Sequence, residues 1–281
     1  MLETRLSHIP WRDFSRQLVK VSRRITAGDF VGARVALRIA ALRAKIALLL
    51  MLKIRSIRSH YGPKFVLHTP DQTLFFYIEG SYGDYYWDHL KSIQYDFVFL
   101  DIGANQGLFT IGAIENPRLQ RAYAFEPVSE TFGRLQANLR LNRVTEKCRA
   151  INVAIAATQG EAQISVIDGH TGAATMRPTL VDFHGPSTTE RVRTWNSEKL
   201  SEEILERGIP IVAKIDVEGF EEIVLREVFS GVFAGDIWSV FIEIDEDWVD
   251  QTVISAILSE NGFHNQIKIG KGRHYDLHAF K

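Results

Sequence analysis

The stretch FLDIGANQG, residues 99–107, places an aspartate and two glycines directly after an apolar run. In open α/β sheets, ligands bind beyond the carboxyl ends of the strands, so such a loop is a candidate binding site. A dinucleotide fingerprint needs Gly-x-Gly-x-x-Gly, but after Gly103 the other two glycine positions hold Asn105 and Leu108. A P-loop would end in Gly-Lys-Ser/Thr, where this chain has Gln-Gly-Leu. The loop therefore matches neither phosphate-binding motif.

The spacing Asp-x-Gly-x-x-x-Gly, formed by Asp101, Gly103 and Gly107, fits a smaller ligand. The first glycine permits a turn and leaves room for a ligand against the backbone, and the second opens the next helix without crowding. The following strand pattern ends in Glu126, where a carboxylate can accept both hydrogen bonds of a ribose diol. A ribose acceptor without a pyrophosphate loop indicates S-adenosylmethionine. The alternative is a glycine turn beside a surface acid.

Acidic residues also follow a later strand pattern, PIVAKIDV, residues 210–217. A carboxylate at a strand end can act as a general base that removes a proton from a bound substrate. We predict Asp216 as base or substrate anchor and Glu218 as the second candidate; the alternative for Asp216 is a structural acid that fixes the loop. Glu221 falls in the first turn of the next helix, where the helix dipole favours a carboxylate. Lys214, inside the strand, is predicted to form a structural ion pair.

Two further acids, Glu243 and Asp245, end the next strand pattern, which we expect beside the one that carries Asp216. The three carboxylates could form an all-oxygen Mg²⁺ site that orients a diol. We favour the simpler interpretation, in which they make the cleft acidic and bind no metal.

The segment 168–190 is rich in glycine, threonine and histidine and is predicted to be an irregular loop over the strand ends. Such a loop could be a substrate lid. Its His170 or His184 could act as the base in place of a carboxylate, and the alternative is a solvated loop histidine.

These candidate residues are positioned by a regular alternation of strands and helices. Strand patterns cover 96–102, 121–126, 148–156, 210–217 and 237–244, and helical patterns cover 107–115, 128–142, 197–207, 220–229 and 249–260. The alternation predicts an α/β fold with a doubly wound, mostly parallel sheet. Two last strands, 263–269 and 274–280, are predicted to form an antiparallel hairpin at its edge, and a pair at 64–68 and 73–79 precedes the alternation.

The first 60 residues carry thirteen Lys and Arg against three Asp and Glu, a net charge of +10, whereas the rest carries −11. Residues 12–58 have a helical pattern with a break at Gly28 and Asp29. We therefore predict a basic helical extension, residues 1–60, and a main domain, residues 61–281. The extension could cap the domain, mediate self-association or lie on an anionic membrane surface.

The single cysteine, Cys148, excludes an intramolecular disulfide and favours a reducing compartment. The first sixteen residues lack an apolar core, so we expect no secretory signal. The apolar run at 46–52 is far shorter than the roughly 20 residues that span a bilayer. These features predict a cytoplasmic protein, with peripheral membrane contact as an option.

Longer stretches in sequence order make the pattern more specific: FLDIGANQGLFT, AFEPVSETFGRLQANLRLN, NVAIAATQGEAQISV, KIDVEGFEEIVL and VFIEI. They resemble the FkbM family of S-adenosylmethionine-dependent methyltransferases over residues 64–280. The resemblance implies a class I methyltransferase fold, with seven strands and a reversed last strand, and methyl transfer to a hydroxyl of a sugar, polyketide or similar metabolite. By position it assigns to the cofactor the residues Asp101, Gly103, Asn105, Gly107, Glu126, Asn152, Val153 and Ala154.

The chain also departs from that pattern. Many class I enzymes have an acid near the adenine, whereas VAIA at residues 153–156 has none, so we expect apolar packing and backbone groups to recognise the base. Family members commonly carry a Leu-Asp pair before the helix that precedes the fourth strand, where this chain has Trp195 and Asn196. This departure leaves open a second function, a catalytically silent cofactor- or glycan-binding domain with a basic interaction arm.

Methylation of nucleic acid is a third possibility that the sequence disfavours. Such enzymes carry Asn/Asp-Pro-Pro-Tyr/Phe after the fourth strand, where Ile-Asp-Val-Glu stands here, and the body of the protein is acidic. We therefore predict an O-methyltransferase for a hydroxylated small molecule or glycan precursor, with no nucleic-acid partner.

Overall fold

The structure is a computed structural model that describes residues 30–68, 71–177 and 187–281. Its first element is helix α1, Phe30–Met51. Strands β1, Ser56–Arg58, and β2, Lys64–Val66, then form a small antiparallel pair.

The helical prediction for residues 12–58 is confirmed only for Phe30–Met51. Residues 12–29 lie outside the described residues, and the predicted helix is wrong for Ser56–Arg58, which form a strand. That strand pairs with residues beyond position 60, so the pair bridges the boundary predicted between the extension and the main domain. The division into two units remains a prediction.

A seven-stranded sheet forms the centre of the protein. In spatial order its strands are β5 (Cys148–Ile151), β4 (Leu119–Phe125), β3 (Phe97–Ile102), β10 (Ile211–Ile215), β11 (Ile237–Asp245), β13 (His274–Phe280) and β12 (Asn265–Ile269). Neighbouring strands are parallel except at β13, which is antiparallel to both β11 and β12. The predicted doubly wound sheet with its terminal hairpin is confirmed.

Helices cover both faces of this sheet because its central strands have no polar face. Every residue of β3 and of β10 is buried. Helices α6 (Ser197–Glu203), α7 (Glu221–Ser230) and α8 (Gln251–Glu260) pack on one face. The other face carries α1 with α2 (Gln72–Glu79), α3 (Asp84–Ser92), α4 (Leu108–Glu115) and α5 (Ser129–Leu141).

A second sheet of four strands lies beside the carboxyl ends of β3 and β4. Its order is β6 (Ala154–Ile155), β9 (Ser187–Trp195), β7 (Gly160–Ile167) and β8 (His170–Thr175). The prediction of an irregular loop at 168–190 is therefore wrong for β8 and for the start of β9. The remainder of that segment, with His184, lies outside the described residues.

Two other strand predictions are corrected. Residues 73–79 belong to α2, whose buried side chains include Leu74, Phe75 and Tyr77. Short apolar runs fit a strand or a buried helix equally well, and here the chain forms a helix that ends at Gly80 in the left-handed conformation. The predicted strand 148–156 is divided at Asn152, because β5 belongs to the central sheet and β6 to the second sheet.

Candidate active site

The glycine loop between β3 and α4 turns tightly at the carboxyl edge of the sheet. Gly103 has φ of 80° and Asn105 has φ of 49°, and both lie in the left-handed region. The amides of Gly103 and Ala104 donate to the carbonyl oxygen of Phe125 at 3.0 and 2.9 Å. The loop is thereby fixed to the end of the neighbouring strand β4.

Glu126, directly after β4, is organised by this loop. Its Oε2 accepts the amide of Asn105 at 2.9 Å, and its Oε1 accepts the amide of Val128 at 2.9 Å. Burial raises the pKa of the Glu126 carboxyl to about 7, although the two amides favour the charged form. Each oxygen keeps a lone pair for a further donor, because a carboxylate accepts about four hydrogen bonds.

A buried network that the sequence did not indicate joins the loop to α2 and β8. Asp71 accepts the Gln106 side-chain amide at 2.5 Å and the backbone amide of Thr171 at 3.0 Å. Asp71 and Gln106 are almost fully buried. Asp71 therefore connects three elements that surround the candidate site.

A first cavity, of about 610 Å³ out to its mouth, lies beside the glycine loop. Among the predicted cofactor residues, its lining includes Gly103, Asn105, Glu126, Val153 and Ala154. Apolar side chains complete much of the wall: Ile102, Phe125, Ile155, Ile164 and Met176. Among the described residues, the acids that line it are Glu126, Asp216 and Glu218, and recognition of an adenine by apolar packing stays a prediction.

Three of the predicted cofactor residues do not line this cavity. Asp101 is buried and accepts the hydroxyl of Thr110 at 2.5 Å. Gly107 has φ of 90° at the start of α4, and a Cβ there would lie 2.5 Å from Leu135 Cδ1. The Asn152 amide donates to the carbonyl oxygens of residues 126 and 127 at 2.9 and 2.8 Å. These side chains brace the loop and strand ends, and their direct contact with a cofactor stays a prediction.

Asp216, at the end of β10, is held by two donors. The Tyr82 hydroxyl donates to its Oδ2 at 2.7 Å, and the Lys214 ammonium lies 3.0 Å from the same oxygen. Lys214 also lies 3.7 Å from Asp101, so the structural ion pair predicted for it is present. Burial opposes the charge on Asp216, but Lys214 and the hydrogen bonds with Glu243 and Tyr82 outweigh it and lower the pKa of that carboxyl.

Glu218, two residues after Asp216, has a left-handed backbone and does not continue the extended strand. Its φ is 48°, and its carbonyl oxygen accepts the Thr175 hydroxyl at 2.7 Å. The turned backbone still brings its side chain to the lining of the first cavity. Burial, and then the charges of Glu243 and Asp216, raise the pKa of the Glu218 carboxyl well above its usual value.

Glu221 is a helix-start residue, as predicted. It is the first residue of α7, it is buried, and its carboxylate accepts the amide of Gly219 at 3.0 Å. Burial raises the pKa of this carboxyl to about 7.

A second cavity, of about 920 Å³ out to its mouth, adjoins the first and shares Gly103, Asn105, Asp216 and Glu218 with it. Aromatic and polar side chains from α2, α4 and the loop before α3 line it: Phe76, Tyr77, Ser81, Tyr82 and Phe109. Lys214, His170, Glu243 and His274 also line it.

The acids predicted as a Mg²⁺ site are only partly brought together. Carboxylate oxygens of Asp216, Glu218 and Glu243 lie within 4.8 Å of one another, so the third member is Glu218 and not Asp245. Asp245 instead lies 3.6 Å from His274, which contacts Glu243 at 2.8 Å. The hydrogen bond to Glu243 raises the pKa of His274 to about 9. Nothing in the sequence pattern pointed to this histidine.

His170 and Asn196 also have defined places. His170 lies on β8 and lines the second cavity, with its ring centroid 6.3 Å from that of Phe76. Asn196 caps α6, because its side chain accepts the amide of Lys199 at 3.2 Å. The departure from the Leu-Asp pair therefore provides a helix cap.

This sheet order, with one reversed strand and a glycine loop ahead of an acidic strand end, defines the class I S-adenosylmethionine-dependent methyltransferases. The family model described as the methyltransferase FkbM domain matches residues 101–264, more than half of the chain. The chain therefore belongs to the FkbM methyltransferase family and uses S-adenosylmethionine as methyl donor.

Several solved structures are similar to this chain at low sequence identity. An FkbM methyltransferase from Methylobacillus flagellatus KT is 14% identical, with 74% of this chain and 52% of that chain covered and a TM-score of 0.46. Precorrin-6y C5,15-methyltransferase from Geobacter metallireducens GS-15 is 14% identical, over 70% of this chain and 87% of that chain, with a TM-score of 0.40. TrmK of M. capricolum, solved with S-adenosylhomocysteine, is 11% identical over 71% and 69%, with a TM-score of 0.41. No curated protein sequence gave a significant match.

Proposed function

We propose that the protein is an S-adenosylmethionine-dependent O-methyltransferase that acts on a hydroxyl of a sugar, a glycan precursor or another small metabolite. The observation that carries the proposal is the meeting of two cavities at Asp216 and Glu218. The first cavity has largely apolar walls and contains the Glu126 carboxylate, which can accept hydrogen bonds from a ribose. The second cavity is lined by aromatic and polar side chains. A donor in the first and a hydroxylated acceptor in the second would meet at these two carboxylates.

The residues of the first cavity fit the methyl donor. Glu126 retains lone pairs for a ribose diol, and the walls around Val153 and Ile164 are apolar, as an adenine requires. S-adenosylmethionine supplies a methyl group on a sulfonium with a neutral leaving group. The protein therefore needs to align the two partners, exclude water and accept one proton.

We assign to Glu218 the role of the base that removes the hydroxyl proton, and to Asp216 a positioning role. Asp216 already accepts Tyr82 and Lys214 on one oxygen, and its lowered pKa makes it a weak base. Glu218 faces both cavities, and its raised pKa makes it the stronger base, better matched to a hydroxyl proton. This order reverses the preference derived from the sequence.

The lining of the second cavity supports a hydroxylated small acceptor. The rings of Phe76, Tyr82 and Phe109 offer flat apolar faces, while Glu243, His274 and Ser81 offer hydrogen-bonding groups. A polyanionic nucleic acid is disfavoured by the three carboxylates at the cavity junction. We further propose a cytoplasmic location, supported by the single buried cysteine, Cys148.

The proposal is tested by the release of S-adenosylhomocysteine from the purified protein with S-adenosylmethionine and a panel of monosaccharides, sugar nucleotides and polyols. Turnover that Glu218→Gln abolishes supports it. Tight binding of S-adenosylhomocysteine without turnover on any acceptor would favour the catalytically silent domain. Methyl transfer to RNA alone would show that the acceptor class is wrong.

A further inference from the structure

Helix α1 exposes a continuous row of apolar side chains. Leu37, Ala41, Ala44, Leu48 and Met51 are all exposed, and they recur at alternating intervals of four and three residues. Leu37, Leu48 and Met51 are 53%, 55% and 59% exposed. This spacing places the five residues on one side of a helix, in a row about 21 Å long. We call this row the apolar stripe.

The opposite side of α1 is attached to the main domain. Leu42 and Ile46 are buried in the same hydrophobic cluster as Phe75 of α2. The Arg43 guanidinium lies 5.4 Å from the centroid of the Phe75 ring. The helix is therefore held by one side and presents the apolar stripe on another.

A row of cations runs beside the apolar stripe. Arg34, Arg38 and Lys45 are exposed and share a face that adjoins the stripe at helical spacing. Residues 30–60 contain seven Lys and Arg and no Asp or Glu. Within the described residues, α1 thus combines exposed apolar area with strong positive charge.

We propose that α1 docks this protein on an anionic lipid surface, with the apolar stripe entering the interface and the cationic row contacting headgroups. Helices of this kind bind membranes through buried apolar area together with Lys and Arg. No helix among the described residues is long and apolar enough to span a bilayer, so the contact is peripheral. A second copy of the chain is a less suitable partner for the apolar stripe, because pairing two α1 helices would bring two basic segments together.

The test is vesicle sedimentation with the full-length protein, on phosphatidylcholine vesicles with and without phosphatidylserine. We expect retention only on the anionic vesicles, and less of it as salt rises. Leu37→Glu with Leu48→Glu is expected to weaken binding at least about tenfold, because two inserted leucines are lost. The matched control is Leu205→Glu with Val232→Glu, since these side chains are 74% and 71% exposed away from α1.

A second variant, Arg34→Gln with Arg38→Gln, tests the charge without touching the apolar stripe. It is expected to reduce binding to anionic vesicles while the melting temperature stays unchanged, because both side chains are exposed. The proposal would be overturned if the unmodified protein bound neutral and anionic vesicles equally. It would also be overturned if the variant with Leu37→Glu and Leu48→Glu kept full binding. A full-length dimer that ignores vesicles and that Leu48→Glu converts to a monomer would overturn it as well.

Discussion

The carbonyl oxygen of Asp216 faces Gly103 so closely that a Cβ atom at position 103 would lie 1.8 Å from it. The glycine loop after β3 and the end of β10 are therefore in direct backbone contact. From the sequence we expected this glycine to permit a turn and to leave space for a ligand. Its φ of 80° confirms the turn, and the contact with Asp216 adds a second reason why no side chain fits.

Replacement of this glycine should disrupt the site. For Gly103→Ala we expect a loss of about 3 kcal/mol or more in the free energy of unfolding, from left-handed strain and from the clash with a backbone that cannot rotate away. Chemical denaturation measures the loss. The control is Gly133→Ala in α5, where a Cβ meets nothing within 4 Å, and a gain of about 0.5–1 kcal/mol is expected. Equal stability of the two variants would show that the loop and β10 are not in contact.

Affinity for the cofactor should depend on the charge of Glu126. Its pKa is raised to about 7, so the carboxylate is protonated as the pH falls through this value. We expect calorimetry to show S-adenosylhomocysteine binding that strengthens from pH 6 to a plateau above about 8, with proton release near pH 7. Glu126→Gln should remove this pH dependence and weaken binding above pH 8 by about 1–3 kcal/mol.

Glu221 provides the control for that measurement. Its pKa is also raised to about 7 by burial, but it lines neither cavity. Both carboxyls bind a proton more tightly in the folded state than unfolded, so stability should fall as the pH rises from about 4.3 to about 7. Glu221→Gln should reduce that fall and leave the pH dependence of cofactor binding intact. Loss of the binding profile in this variant would contradict the assignment to Glu126.

The two junction carboxylates should respond differently to neutralisation. Glu218→Gln should lower kcat about 10²–10⁴-fold with unchanged affinity for S-adenosylhomocysteine, because only the base is removed. Asp216→Asn should also destabilise the protein, since Lys214 then keeps a buried charge with one partner fewer. Initial rates and denaturation curves separate the two. Full activity of Glu218→Gln would contradict this assignment and would leave Asp216 or a histidine as the base.

Tyr82 should act on catalysis through Asp216. Tyr82→Phe removes a 2.7 Å hydrogen bond to a charged group, for which about 1.5–3 kcal/mol is typical. We expect a lower kcat and a higher pKa for Asp216, visible as a shifted acid limb of the pH–rate profile. Tyr123→Phe is the matched control, because its hydroxyl donates to Glu206 at 2.6 Å away from both cavities. Equal pH profiles for the two variants would contradict the role of Tyr82.

Asn196 should matter for stability and not for methyl transfer. As the cap of α6, its replacement by alanine should lower stability by about 0.5–2 kcal/mol. Asn196→Asp restores the acid common in the family and should keep stability within a few tenths of a kcal/mol, since both residues cap well. Thermal unfolding and initial rates test both variants. A gain in activity on restoring the aspartate would show that this position contacts substrate after all.

The order of strands and helices was readable from the sequence because buried strands and amphipathic helices have different apolar periods. The errors fall where local pattern carries little information. The run TLFFYIE suited a strand by alternation but forms α2, which packs Leu74 and Phe75 into the core. The run from Cys148 to Ala156 has the composition of one continuous strand, so its local pattern did not signal the transfer from one sheet to another at Asn152.

In the candidate site too, residues with a local sequence signal were identified, and residues whose contacts are distant in sequence were missed. Gly103, Asn105, Glu126, Asp216 and Glu218 were identified from loops at strand ends, and the structure places all five around adjoining cavities. Tyr82 and Asp71 were missed because their partners lie 134 and 100 residues away in sequence, so no spacing rule links them. His274 was missed for the same reason: its contact with Glu243 depends on the pairing of β13 with β11.

The class of fold, the glycine loop and the acids at the strand ends depend on residue type and short-range spacing, so they could be predicted from the sequence. Which acid has a lowered pKa and which a raised one depends on the folded surroundings of each carboxyl. Asp216 and Glu218 are two residues apart and chemically alike. Lys214 and hydrogen bonds with Glu243 and Tyr82 lower the pKa of Asp216, whereas burial and the charges of Glu243 and Asp216 raise the pKa of Glu218. Folding assembles all of these neighbours.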